Sequence, residues 1–210
     1  MIDWILSACV GLGLAACCGF RVFVPMLVAA FATKLGLINA MPGYEFMGSW
    51  TVIISLSVAT AFELGAYYIP WLDNMLDTVA MPVAIVAGTL LSTSFLRVND
   101  EMVRWAMSLM LGGGAAGLVQ AGTSLLRIGS VTTTGGLANP LVATGENAAS
   151  LILSILTVFL PLFAFAVIVC LLIFLVVRLL SRKKLRFTQV TPKPSGNPLD
   201  QFPQGSNGNH

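Results

Sequence analysis

Thirty consecutive residues, 4–33, contain a single charged side chain, Arg21. As one α-helix that run would reach about 45 Å at about 1.5 Å per residue, against a bilayer hydrocarbon core of about 30 Å. It reads either as one tilted spanning helix or as two half-helices broken near Gly19, where Gly19-Phe20-Arg21 and Pro25 interrupt it. Four more apolar runs follow, at 51–69, 78–96, 102–127 and 149–177. Apolar residues make up 57% of the 210 and charged residues 10%, where a typical soluble domain carries about 25% charged residues. A surface this poor in charge cannot be solvated by water. The expected fold is an all-α, polytopic helical membrane protein with five clear spans, and the lipid bilayer is its first expected partner.

Residues 128–148 are unlike the rest. Ile128 to Gly136 is rich in Ser, Thr and Gly, and Asn139, Pro140, Glu146 and Asn147 follow. The segment is expected to be an aqueous loop, or a re-entrant or sixth segment packed inside protein. Irregular backbone at membrane depth survives only where protein or a water cavity satisfies it.

Charge is divided unevenly. Residues 1–177 hold five Lys/Arg against eight Asp/Glu, and residues 178–210 hold six against one. The basic run Arg178, Arg182, Lys183, Lys184 and Arg186 is expected to hold the C-terminus in the cytoplasm. Five crossings then place Asp3 outside, with the 34–50 and 97–104 connections inside. The expected domains are a transmembrane helical domain over 1–180 and a basic, then disordered, cytoplasmic tail over 181–210. Basic charge confined to a span's end is a topology signal, and no nucleic-acid partner is expected.

Chemistry is sparse. The four cysteines lie in apolar runs, and the one histidine is His210. Leu14-Ala15-Ala16-Cys17 has the form of a lipoprotein box, but no Lys or Arg precedes it, so small residues packing a first helix are the expected reading. No metal site or cofactor is expected, and no HExxH, GxSxG, Walker or GxGxxG pattern is present, so no enzymatic activity is expected.

The candidate site therefore rests on polar groups at membrane depth. Arg21 in the first run and Glu63 in the second, with Tyr67 one turn on, are candidate substrate- or ion-binding residues. Arg21 is the natural partner for Glu63, either in a functional pair or in a structural clamp between helices. Asn139, Glu146 and Asn147 extend the candidate site, and a helix starting near Glu146 would offer free N–H groups to an anion. Gly113, Gly117 and Ala121 make a small-residue stripe for helix packing. A homo-oligomer through this glycine-rich fourth span is the second reading.

Thr78-Val79-Ala80-Met81-Pro82-Val83 echoes Thr157-Val158-Phe159-Leu160-Pro161-Leu162, and Gly13 to Ala16 echoes Gly113 to Gly117. An inverted repeat of 1–97 and 98–180 and chance likeness between low-alphabet segments both stay open.

Gly19-Phe20-Arg21 with Pro25, Glu63 through Pro70 with Asp73, Gly113 through Gly122 with Ser124, and Ala138-Asn139-Pro140 with Glu146-Asn147 are together similar to a known pattern. They resemble a family of small bacterial integral-membrane proteins that is catalogued only as a domain of unknown function. The resemblance covers residues 5–178 and implies a bacterial inner membrane location with no established activity. The leading expectation is transport or channel-like passage of a small solute or ion through a central polar site, with Glu63 as the coupling acid. The alternatives are a non-catalytic membrane scaffold or assembly factor and a scramblase-like lipid-handling protein.

Overall fold

A computed structural model describes residues 2–66, 69–134 and 138–188. Their secondary structure is helical. In chain order the helices are α1 (Ile2–Cys17), α2 (Phe23–Lys34), α3 (Trp50–Ala66), α4 (Pro70–Phe95), α5 (Glu101–Met107), α6 (Gly114–Thr134), α7 (Asn139–Phe159) and α8 (Pro161–Thr188). A π-helical stretch, Ser108–Gly113, joins α5 to α6 without a break. Three helical stretches, Thr78–Phe95, Glu101–Thr133 and Asn139–Phe159, are long and apolar enough to cross a membrane. Trp4–Cys17, Phe23–Lys34, Trp50–Ala66 and Pro161–Val177 are apolar but shorter. The chain divides into two units, Met1–Val176 and Val177–His210, and the first holds the helical bundle.

Proline and small residues set the boundaries. Pro70 and Pro140 stand in the first positions of α4 and α7, and Pro161 opens α8. There their missing N–H would have had no partner in any case. Asp100 caps α5 by accepting the Val103 N–H at 2.9 Å.

The first apolar run is two half-helices, and they form a hairpin rather than one crossing. Gly11 of α1 lies against Ser92 and Phe95 of α4, and Val10, Ile38 and Phe95 share one core. The Met41 N–H bonds to the Ser94 carbonyl at 2.8 Å. The start of α1 and the chain after α2 therefore sit at one end of the bundle, which we term proximal, beside the α4–α5 connection. Of the two readings of residues 4–33, one tilted helix or two half-helices broken near Gly19, the structure has the second.

Two boundaries differ from the sequence expectation. Within 128–148 the described residues are mostly helical: α6 runs on to Thr134 and α7 begins at Asn139, while 135–137 lie outside the described residues. The last apolar run, 149–177, breaks at Leu160, where α7 ends and α8 turns away. The two halves of the suspected repeat also behave differently, because α4 continues through Pro82 whereas Pro161 follows a break.

Packing depends on missing side chains. A Cβ on Gly88 would lie 2.9 Å from the Gly112 carbonyl oxygen, and one on Gly112 would lie 2.8 Å from that of Gly88. The backbones of α4 and the π-helical stretch thus meet directly. Gly113 faces Thr89 and Ile85, and Gly117 faces Ile85, so these two stripe glycines are filled by α4 of the same chain. Ala121, one turn on, is half-buried.

Charged and polar residues lie inside, among the apolar core, while large apolar side chains face outward. Arg21, Glu63, Arg127, Glu146, Ser150, Ser154 and Thr157 are buried, while Ile54, Phe62, Met110, Ile152 and Phe163 are exposed. Water would impose the opposite order; apolar helices arranged this way are compatible with a membrane.

Candidate functional site

The site begins where α1 stops. Its last turn tightens through the Gly19 and Phe20 N–H groups, which bond to the Ala16 and Cys17 carbonyls, each at 3.0 Å. Gly19 is needed here, because a Cβ would strike the Ala116 carbonyl oxygen and the Val119 side chain of α6. The break therefore lies directly on α6, deep in the bundle.

Restarting the helix exposes donors. The first N–H groups of any helix lack intrahelical acceptors. Those of Val22 and Phe23 point at Glu63 on α3, donating to its Oε1 at 2.7 Å and its Oε2 at 3.0 Å. No side chain of the break itself caps α2. A buried carboxylate from a separate helix thus caps it, and its charge suits the positive end of the α2 dipole.

Arg21, in the same break, turns the other way. Its side chain is fully buried and reaches α7: Nε donates to Asn147 Oδ1, Nη2 donates to the Ala143 carbonyl at 3.2 Å, and Nη2 lies 3.2 Å from Glu146 Oε2. Glu146 also accepts from Arg127 of α6. One carboxylate therefore joins two guanidinium groups from different elements. The four charges, Arg21 and Arg127 against Glu63 and Glu146, balance within the protein, which lowers the cost of burying any of them.

The expected residues are thus partly brought together. Arg21, Glu146 and Asn147 are in contact, and Glu63 lies one residue from Arg21 through Val22. Arg21 pairs with Glu146, and its charge also acts on Glu63. Glu146 lies two turns inside α7 rather than at its start, so the helix N-terminus expected beside it is elsewhere. Asn139 opens α7 outside the cluster, its Oδ1 buried without a hydrogen-bond partner. Tyr67 lies outside the described residues.

Sequence reasoning missed Arg127, which it placed only at the end of a span. It also missed the face that Ala143, Glu146, Ser150, Ser154 and Thr157 form on α7, all buried at helical spacing. Serine recurring every four residues after an acid was the available signal.

A cavity of about 640 Å³ reaches the break. Phe20, Phe23, Phe62, Leu76, Val79 and Val83 form its apolar walls, and Arg21, Glu63 and Gln120 supply its polar lining. The size falls within the roughly 300–1,000 Å³ usual for small-molecule sites. Among the described residues no group of His, Cys, Asp and Glu is placed to hold a metal ion.

No curated protein and no solved structure matches this chain. A family model does, over residues 8–182, which takes in both half-helices, the charge cluster and the cavity. The chain belongs to the family described as Domain of unknown function (DUF4126).

Proposed function

We propose that this is a multi-pass protein of the bacterial inner membrane, its C-terminal basic run in the cytoplasm, that passes a small solute or ion through the site at the α1–α2 break. The observation that carries the proposal is a helix interrupted deep in the bundle, with a balanced set of buried charges at the interruption and a cavity reaching them. Interrupted helices and ionisable groups at this depth are the usual construction of a solute pathway, since both are costly unless used. Glu63 is the group to change state, being bound through backbone N–H groups and lining the cavity. Arg21, Glu146 and Arg127 form the fixed framework. Basic and aromatic residues at the proximal end, with Lys34 over Trp50 and Arg104 over Tyr44, suit a membrane–water interface.

The test uses single cysteines at Ala59 and Ala66, on the cavity wall, in a background lacking the four native cysteines. A membrane-impermeant thiol reagent is applied from each side of proteoliposomes. Labelling from one side or both supports a water-reached site. Sealing from both sides removes the pathway and leaves Glu63 as a structural cap.

A lipid-handling protein is the second reading, favoured by the apolar walls of the cavity. It predicts transbilayer movement of phospholipid by the reconstituted protein.

A further inference from the structure

Two ionic residues line the cavity, Glu63 and Arg21. The Arg21 guanidinium is fully buried, with Nε and Nη2 directed at Asn147, Ala143 and Glu146 on α7. Gln120 is neutral. Glu63 is the anion on the wall, and it accepts backbone N–H groups from the start of α2, Val22 on Oε1 and Phe23 on Oε2, with the Val24 N–H also acting on it. A carboxylate offers about four acceptor sites, so capacity remains on the cavity side.

Three phenylalanines, Phe20, Phe23 and the outward-exposed Phe62, share the cavity lining with Glu63, and aliphatic side chains from α4 complete the wall. Phenyl faces attract cations through their quadrupole, more strongly where water is excluded. An aliphatic wall favours an apolar body. An anionic occupant would meet the Glu63 carboxylate, whereas the Arg21 guanidinium is buried and directed at α7.

We infer that the cavity binds lipophilic cations, that is, organic amines or onium ions with an apolar body of drug-like size, seated on Glu63 and the three phenylalanines. This names the substrate class of the pathway proposed above and rests on that reading for transport, though not for binding. Entry needs no covalent step: the cation takes the open side of the carboxylate while the α2 N–H groups keep the other.

The experiment measures equilibrium binding of tetraphenylphosphonium to the full chain in lipid nanodiscs, with empty nanodiscs subtracted and tetraphenylborate as an anion of the same shape. The expected result is saturable tetraphenylphosphonium binding, at least tenfold weaker in Glu63→Gln, and no saturable tetraphenylborate binding. Ala59→Phe, which adds bulk on the cavity wall and keeps the Glu63 carboxylate, is expected to abolish binding and stands as the test if Glu63→Gln does not fold. Equal binding of the two ions, unchanged binding in both variants, or no saturable binding by folded wild-type protein would each overturn the inference. Cysteine labelling in the cavity without cation binding would leave the passage reading standing with another substrate. Cation binding in a cavity sealed from both sides would leave the site and remove the passage.

Discussion

The Glu63 carboxylate accepts the Val22 N–H at 2.7 Å, so a side chain of α3 closes the start of a helix forty-one residues earlier. Phe23 donates to the other oxygen. Glu63→Ala orphans both donors in a buried setting, at about 1–3 kcal/mol for each. Glu63→Gln keeps one acceptor oxygen and loses less. Thermal unfolding in detergent is expected to rank wild type above Gln and Gln above Ala. An Ala variant as stable as wild type would show that the cap contributes nothing.

Glu146 holds two arginines, Arg21 and Arg127. Removing Glu146 takes a carboxylate from two buried arginines at once, whereas removing Arg127 leaves Glu146 paired with Arg21. Breaking a buried ion pair by deleting one partner costs about 3–5 kcal/mol. Glu146→Ala is therefore expected to abolish folded protein or to lower its unfolding temperature most, with Arg127→Ala clearly milder. The reverse order, read from yield and melting, would mean that Arg127 rather than Glu146 organises the cluster.

Gly19 and Gly129 should respond oppositely to the same change. A Cβ at Gly19 meets the Ala116 backbone carbonyl, which cannot move aside without displacing α6. Gly19→Ala is expected to destabilise by about 1–3 kcal/mol, as overpacking does. Gly129 lies within α6 with nothing within 4 Å of an added Cβ, so Gly129→Ala is expected to stabilise by about 0.5–1 kcal/mol. Unfolding temperatures of the two variants check both signs at once.

Arg21 and Glu63 were legible in the sequence because a lone charge in an apolar run is conspicuous whatever the fold. Their partners were not, since two acids and two bases at similar depth allow several pairings and only tertiary placement chooses among them. Arg127 was masked by its position at the end of hydrophobicity. The helix continues past it through Thr132 and Thr133, whose hydroxyls bond back to the Gly129 carbonyl at 2.9 and 2.8 Å. Such residues read as loop by composition yet persist in a helix when that back-bond satisfies them. The turn at Cys18–Val22 was marked by Gly19 and Pro25, but apolar sequence carries no sign of whether the chain continues across or returns.

The direction of that return can be measured. Ser7 of α1 and Asn39, beyond α2, line the same proximal pocket, together with Arg97. A hairpin of α1 and α2 places both residues on one side of the membrane, whereas a single crossing at 4–33 places them on opposite sides. Ser7→Cys and Asn39→Cys, each alone in the cysteine-free background, are therefore expected to be labelled by an impermeant reagent from the same side of sealed vesicles. Both are expected to share that side with a cysteine at Val98, in the α4–α5 connection. If Ser7→Cys is labelled from the side opposite to Asn39→Cys, residues 4–33 cross the bilayer. The break would then be a kink in a span, and the α2 start that Glu63 caps would no longer be the tip of a re-entrant element.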